Sequence, residues 1–279
     1  MIGQEKVLSK IDRLISYHFP RFTIITGPAG SGKKLLATQI AKKLNATAIF
    51  SGIKVDNIRE VIKLAYKQAQ PVVYILPDAD SMSINAKNAL LKVTEEPPRQ
   101  AYFIITVQDL SNTLQTLISR GTVFKRAPYS GDELAEYVEI KHYPFSEREK
   151  NIIYDVCRVP GDIDIMSNYK IQEFYDFVKT VAENVTQVNG SNALKITKQL
   201  KYKDDDAGKY PVDLFLGVLM RVYLEYMRNK PLLKWLDNMR LVSIARRELQ
   251  ITGINKPAVI DKLILDLREV EFEQEMNEP

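Results

Sequence analysis

Short apolar runs alternate with helical patterns along residues 1–127, and this alternation constrains the fold more than any other feature of the sequence. The runs that read as strands lie at residues 22–26, 47–50, 72–76, 102–106 and 122–125. The patterns that read as helices lie at residues 4–17, 33–44, 55–69 and 84–94. The strongest runs are apolar apart from threonine, as expected for strands that are covered on both faces. Strands joined by crossover helices predict an open parallel sheet and an α/β fold.

The rest of the sequence is predicted to be helical. Residues 131–168 read as three short helices interrupted by prolines, and beyond Ile171 there is almost no strand pattern. The longest helical patterns lie at residues 212–227, 232–249 and 256–270. The sequence therefore predicts three domains, which are an α/β domain at 1–128, a small helical domain at 129–169 and a helical domain at 170–279.

Composition excludes several classes of protein. Hydrophobic residues make up 45% of the chain and charged residues 27%, which is typical of a folded globular protein. The net charge of +4 is too small to indicate nucleic-acid binding by itself. Cys157 is the one cysteine, which excludes an internal disulfide and a cysteine-rich zinc site. Without a long apolar run or the apolar core of a signal peptide, we expect a cytoplasmic protein that makes no membrane contact.

A glycine-rich segment, GPAGSGKK at residues 27–34, lies between a predicted strand and a predicted helix. Glycines at such a junction let backbone N–H groups turn toward phosphates, and the helix N-terminus adds its dipole. We therefore predict a phosphate loop in which Lys33 reaches the outer phosphates; the alternative is a glycine turn that binds no ligand. The loop residues predicted to contact a nucleotide are Gly27, Gly30, Ser31, Gly32, Lys33 and Lys34.

The last position of this loop is unusual because Lys34 stands where a Ser or Thr hydroxyl would ligate Mg²⁺. An ammonium about 4 Å from a divalent ion is repelled by about 8 kcal/mol at an effective dielectric constant of about 20. Lys34 must therefore turn away or replace the metal as the counter-charge. After the run at 72–76, Pro77 and Asp78 replace the acidic pair of an ATP site. The sequence thus disfavours bound Mg²⁺, although Pro77 and Asp78 are equally compatible with a strand-ending turn.

Three longer motifs resemble those of one protein family. These are IGQEKVL at 2–8, NALLKVTEEPP at 88–98 and FIITVQDLSNTLQTLISRG at 103–121. Together they resemble the AAA+ subunits of the replicative DNA clamp loader, the γ/τ/δ′ family of DNA polymerase III. The resemblance is specific over about residues 2–128 and loose over 129–168. It implies a P-loop NTPase (AAA+) domain, a small helical lid domain and an all-helical C-terminal collar domain through which subunits assemble.

The resemblance also implies roles for individual residues. Arg120 would be an arginine finger that acts in trans on a neighbouring subunit's ATP, although it could be a plain surface residue. Asp78 would belong to a degenerate acidic motif, and Asp164 stands at or next to the position of a phosphate-binding Arg in the lid. Further contacts implied by the family are Ile2 and Gly3 in the adenine pocket, Gln108 at sensor 1, and Ser83, Asn85 and Lys87 facing DNA.

These features favour a δ′-like stator with little or no ATPase activity of its own. Its nucleotide would be ATP or ADP, with Mg²⁺ disfavoured and no zinc. Its partners would be other clamp-loader subunits in a hetero-oligomeric ring, the sliding clamp and primer-template DNA. Two alternatives stay open. One is an ATP-hydrolysing motor subunit of a divergent loader, and the other is a non-replicative P-loop regulatory protein.

Overall fold

A computed structural model describes residues 2–126, 128–185, 190–202, 207–251 and 253–275. The chain divides into two compact units. The first comprises Met1–Ile140 with Val159–Gly161, and the second comprises Lys141–Arg158 with Asp162–Pro279. The predicted boundaries at 128 and 169 are not among these divisions, and the three-domain organisation stays a prediction.

A five-stranded parallel sheet forms the centre of the first unit, as the alternating pattern predicts. Its strands are β1 (Phe22–Thr26), β2 (Thr47–Phe50), β3 (Val72–Leu76), β4 (Ala101–Val107) and β5 (Thr122–Lys125). They lie side by side in the order β2-β3-β4-β1-β5. In the register, Ile24 of β1 is opposite Ile105 of β4 on one side and Val123 of β5 on the other. The first strand is therefore an interior strand, and the segment that follows it leaves the sheet between the ends of β4 and β5.

Helices cover both faces of this sheet. They are α1 (Glu5–Tyr17), α2 (Lys33–Lys43), α3 (Val55–Ala65), α4 (Ile84–Glu95) and α5 (Gln115–Ile118), and a further helix, α6 (Gly131–Lys141), follows β5. Because side chains alternate along a strand, each strand contributes to two cores. Ile24, Tyr74 and Phe103 pack with the helix residues Ile58 and Leu90 on one face. The core on the other face contains Ile25, Ile75, Ile104, Leu36 and Ile40. The layers are thus helix, sheet and helix.

The second unit is mainly helical. Its helices are α7 (Glu147–Val156), α8 (Pro160–Met166), which begins in the first unit, α9 (Ile171–Glu183), α10 (Gly190–Thr197), α11 (Val212–Asn229), α12 (Leu233–Glu248) and α13 (Lys256–Glu275). Helix α11 is the most buried and packs against α7, α9 and α12. Arg221 on α11 forms ion pairs with Asp155 of α7 and Glu225 of its own helix.

The helical patterns beyond Ile171 are confirmed, with one departure. Two short strands, β6 (Leu200–Lys201) and β7 (Tyr210–Pro211), pair with each other. Two-residue strands have no period to detect, which is why the sequence does not indicate them. None of the helices in the described part of the chain is long and apolar enough to cross a bilayer.

Candidate functional site

The candidate site lies where four strands of the first unit end. The segments that leave β1, β3, β4 and β5 begin with Gly27, Pro77, Gln108 and Arg126, respectively. In open parallel sheets, ligands bind at the carboxyl ends of the strands, near the point where neighbouring connections diverge. Since β1 has β4 on one side and β5 on the other, the glycine-rich segment lies at such a point.

The glycine-rich segment has the backbone of a phosphate loop. Gly30 and Gly32 adopt φ of 72° and 80°, a left-handed region that favours glycine. Gly32 is the N-cap residue of α2, so the loop leads directly into the positive end of that helix dipole. Ser31 is buried, and its hydroxyl donates to the Pro28 carbonyl at 2.8 Å. The conformation supports the predicted placement of loop N–H groups around an anion.

Lys33 is folded back onto the loop. Its ammonium donates to the carbonyl oxygens of Gly27 at 2.7 Å and of Pro28 at 2.8 Å, and the residue is only 6% exposed. Burial lowers the pKa of this ammonium, and the nearby carboxylate of Asp78 acts in the opposite direction. To reach a phosphate, the Lys33 ammonium would exchange its two carbonyl partners for phosphate oxygens.

Lys34 turns toward the acidic motif. Its ammonium lies 2.8 Å from Asp78 Oδ2, and both side chains are about half exposed. The Asp78 backbone is left-handed, with φ of 55°, and its N–H donates to the Thr106 hydroxyl at 3.1 Å. An ammonium and a proline therefore occupy the two positions that would support Mg²⁺. Across the described residues, no cluster of three His, Cys, Asp or Glu side chains could hold a metal ion. The donor set does not fit Mg²⁺ held in the usual way.

Asp80 is a site residue that the sequence reasoning missed. Its carboxylate accepts from the Gln108 N–H at 2.8 Å and from the Asp109 N–H at 3.2 Å. The Thr26 hydroxyl also donates to the Gln108 carbonyl, at 3.2 Å. These bonds join the ends of β1, β3 and β4 and hold the Gln108 backbone, while its side chain is exposed. Asp80 lies two residues after Asp78, and a second carboxylate so close to the predicted acidic motif is the signal that could have found it.

Arg126 was also missed, and it supports the phosphate loop from the end of β5. It is 2% exposed, and its Nε donates to the Ser31 carbonyl at 2.8 Å. Its Nη2 donates to the Tyr129 hydroxyl, which itself donates to the Ser31 carbonyl at 3.1 Å. Burial lowers the pKa of Arg126 and raises that of Tyr129. A basic residue just after a strand that neighbours β1 is the signal that could have found it.

The segment Val159–Gly161 packs against the tip of the phosphate loop. The Gly161 N–H donates to the Gly30 carbonyl at 3.1 Å. A Cβ atom on Gly161 would lie 2.4 Å from Gly30 Cα, which explains why glycine is needed here. The loop is therefore held on one side by Arg126 and on another by this segment.

The remaining residues predicted from the family lie around this centre or away from it. Ile2 is partly buried, and Gly3 has φ of 62° and packs against the Glu133 carboxylate at the start of α6. Asp164 belongs to the second unit, where its carboxylate accepts from the Tyr143 hydroxyl at 2.5 Å. The nucleotide-binding roles of Ile2 and Gly3 stay predictions.

Arg120 follows α5 and contacts α4. Its Nη2 donates to Glu95 Oε1 at 2.8 Å and its Nη1 to the Thr116 carbonyl at 2.9 Å. The Arg120 and Glu95 side chains are 36% and 54% exposed, so the ion pair is accessible to water. The structure therefore places Arg120 on the surface, as a residue that acts on a neighbouring molecule would have to be.

The residues predicted to face DNA lie at the start of α4. Ser83 is its N-cap, and the Ser83 hydroxyl accepts from the Ala86 N–H at 3.2 Å. The Lys87 ammonium donates to the Asn112 carbonyl, and Asn85 is exposed. Ser83 and Lys87 thus already have hydrogen-bond partners within the chain. The contacts of all three residues with DNA stay predictions.

Comparisons with known proteins agree with this architecture. The family model of the DNA polymerase III delta subunit matches residues 47–129. A replication factor C small subunit from Haloarcula marismortui is 26% identical over 152 residues, which are 50% of this chain and 46% of the relative. A DNA polymerase III subunit delta' from Yersinia pestis is 40% identical over 73 residues, which are 25% of this chain and 22% of that relative. The chain thus spans about half or less of the length of these curated relatives.

A solved structure extends the likeness to the whole fold. It is a protein from Thermotoga maritima related to the gamma subunit of DNA polymerase III, with a TM-score of 0.53 at 15% identity. The alignment covers 95% of this chain and 99% of that chain, and it shows that the fold is shared. The sequence matches confirm the resemblance seen in the motifs: parts of the chain are similar to clamp-loader subunits of DNA polymerase III and replication factor C, and the fold is that of a gamma-related protein.

Proposed function

We propose that this chain is a δ′-like stator subunit of a replicative clamp loader. It would supply Arg120 in trans to the ATP of a neighbouring subunit and help to load the sliding clamp onto primer-template DNA. Other clamp-loader subunits would be its partners in a hetero-oligomeric ring, with the C-terminal helices as the collar. Such a subunit would work with the replication machinery in the cytoplasm.

One contrast carries this proposal. The chain's own phosphate loop has Lys34 paired with Asp78 where metal ligands would stand, whereas Arg120 is exposed and its ion pair with Glu95 is accessible to water. An exposed ion pair such as that of Arg120 with Glu95 contributes about 0–1 kcal/mol, so it can be broken at little cost. The chain is therefore better equipped to complete a neighbour's site than to hydrolyse ATP itself.

Contacts to DNA are a further part of the proposal. Hydroxyl, amide and ammonium groups contact phosphates without reading sequence. Asn85 is exposed and would be accessible to a phosphate. The Lys87 ammonium would exchange the Asn112 carbonyl for a phosphate oxygen. Ser83 would reach DNA only from its position as the N-cap of α4.

The motor-subunit alternative is favoured by one observation, which is that the loop backbone and Lys33 are intact. Steady-state ATPase of the isolated chain separates the two proposals. The stator predicts negligible turnover, and turnover of about 1 s⁻¹ or more, the ordinary enzyme range, would favour the motor. Co-purification with clamp-loader subunits separates both from a non-replicative regulatory protein.

The central test uses the clamp loader reconstituted from this chain and its partner subunits. Where it has been measured, an arginine finger contributes about 10³–10⁵ in rate at the site it completes. We expect Arg120→Ala to silence that one site while the other sites continue, which lowers the ATPase of the complex and slows clamp loading. Lys33→Ala, which affects only the chain's own loop, should have a much smaller effect.

Arg59→Ala is the matched control, since Arg59 is also an exposed arginine with a carboxylate partner, Asp56. It should leave the ATPase of the complex unchanged. If Lys33 proves essential and Arg120 dispensable, the chain is a motor and the stator proposal is wrong.

A further inference from the structure

The phosphate loop is surrounded by more positive charge than a metal-dependent site requires from its protein. Lys33, Lys34 and Arg126 lie at the loop, with Asp78 and Asp80 as the nearby carboxylates. Burial lowers the pKa of Lys33, as do Lys34 and Arg126, while Asp78 and Asp80 raise it. The other four charged groups are thus close enough to Lys33 to affect its charge.

The balance of these charges matches that of a site containing a divalent cation. A metal-dependent site with one lysine, one divalent cation and two carboxylates has a single net positive charge. Three protein cations and two carboxylates give the same net charge here without any metal. Asp80 is held by backbone N–H groups, and Asp78 by the Lys34 ammonium at 2.8 Å. Neither carboxylate is therefore left to attract a cation from solution.

We propose that the phosphate loop binds a nucleoside diphosphate or triphosphate in its metal-free form, with the Lys34 ammonium in the place of Mg²⁺ as the counter-charge. Lys33 leaves the carbonyls of Gly27 and Pro28 and contacts the outer phosphates. Lys34 shares its ammonium between Asp78 and the phosphate group. Arg126 keeps its bond to Ser31 and holds the loop open to the ligand. The bound nucleotide would stabilise the fold without being hydrolysed.

The test is calorimetric titration of the full chain with ADP, in buffer containing either MgCl₂ or EDTA. We expect ADP to bind in EDTA and to bind more weakly in MgCl₂, because Mg²⁺ complexes ADP in solution and leaves less of the metal-free form. Lys33→Ala should abolish binding in EDTA, which identifies the loop as the binding site. Lys34→Thr removes a charged contact to phosphate and should weaken binding in EDTA by about tenfold. Because the introduced hydroxyl can ligate Mg²⁺ and Asp78 is released, MgCl₂ should tighten ADP binding to this variant.

Lys42→Thr is the matched control, since Lys42 is an exposed lysine in the last turn of the same helix. It should bind ADP as the unaltered chain does. Binding that MgCl₂ tightens about tenfold in the unaltered chain, or no detectable binding in EDTA, would overturn the inference. Either result would leave the stator proposal standing, because supplying Arg120 to a neighbour does not require this loop to bind a nucleotide.

Discussion

Lys34 shows how one side chain can change the chemistry of a loop whose backbone has the form of a phosphate loop. The glycine conformations and the N-terminus of α2 are those of a phosphate loop. A hydroxyl at position 34 would add a metal ligand, whereas the ammonium adds a charge that repels one. Its pairing with Asp78 removes a second candidate ligand at the same time. Two metal contacts are therefore lost through one residue.

Cys157 gives a test of burial at the residue scale. The residue is 1% exposed, and burial raises the pKa of its thiol, so little thiolate forms at neutral or mildly alkaline pH. We expect the folded chain to be unreactive toward a thiol reagent at pH 8, and to react fully in denaturant. The reaction is followed by absorbance as the reagent is consumed. Rapid labelling of the native chain would contradict the burial of Cys157.

At the scale of elements, the contact between Val159–Gly161 and the phosphate loop is the most demanding one sterically. Gly161→Ala would bring a Cβ atom to 2.4 Å from Gly30 Cα, a distance that backbone atoms must move to relieve. Overpacking of this kind costs about 1–3 kcal/mol, so we expect the free energy of unfolding to fall by that amount. Denaturant unfolding measures the loss, with the midpoint as the readout.

Gly131→Ala is the control for that substitution. Gly131 begins α6, and a Cβ atom there has no neighbour within 4 Å among the described residues. Alanine also favours a helix over glycine by about 1 kcal/mol in a helix interior, so the control should be neutral or slightly stabilising. Equal losses for both variants would mean that the contact of Gly161 with Gly30 is not what requires glycine.

At the scale of the whole molecule, the helical unit leaves apolar side chains exposed. On α12, Leu233 is 73% exposed and Leu236 is 51% exposed, and their spacing of three residues places them on one side of the helix. If the C-terminal helices form the collar, these side chains would be buried by a neighbouring subunit. We expect Leu233→Lys with Leu236→Lys to leave the isolated chain folded, because neither side chain is in its core.

The same double variant should no longer co-elute with partner subunits in size-exclusion chromatography. Ile140→Lys is the control, since Ile140 is similarly exposed, at 57%, but lies in the first unit. Circular dichroism checks that each variant folds. A double variant that folds and still joins the complex would show that this face of α12 is not part of the collar.

The sequence by itself determined the elements and the loop. Strands β1, β3 and β4 were predicted within one residue of their ends, because a mostly apolar run of five to seven residues bounded by turns is a local signal. The phosphate loop was equally local, since its glycines and Lys33 lie within eight residues. The short strands β6 and β7 were missed for the opposite reason, as they carry no period of their own.

Tertiary structure alone decided the strand order and the contacts that define the candidate site. Lys34 pairs with Asp78 at the carboxyl ends of the strands. Arg126, which follows β5, donates to the carbonyl of Ser31, which lies 95 residues earlier in the chain. Gly161 reaches Gly30 from outside the sheet altogether. Periodicity reports which face of an element is buried, but not which distant side chain will lie beside it. That depends on the packing of the whole α/β unit, because one arrangement of its elements determines both the entropy cost of closing the loops and the apolar surface that is buried.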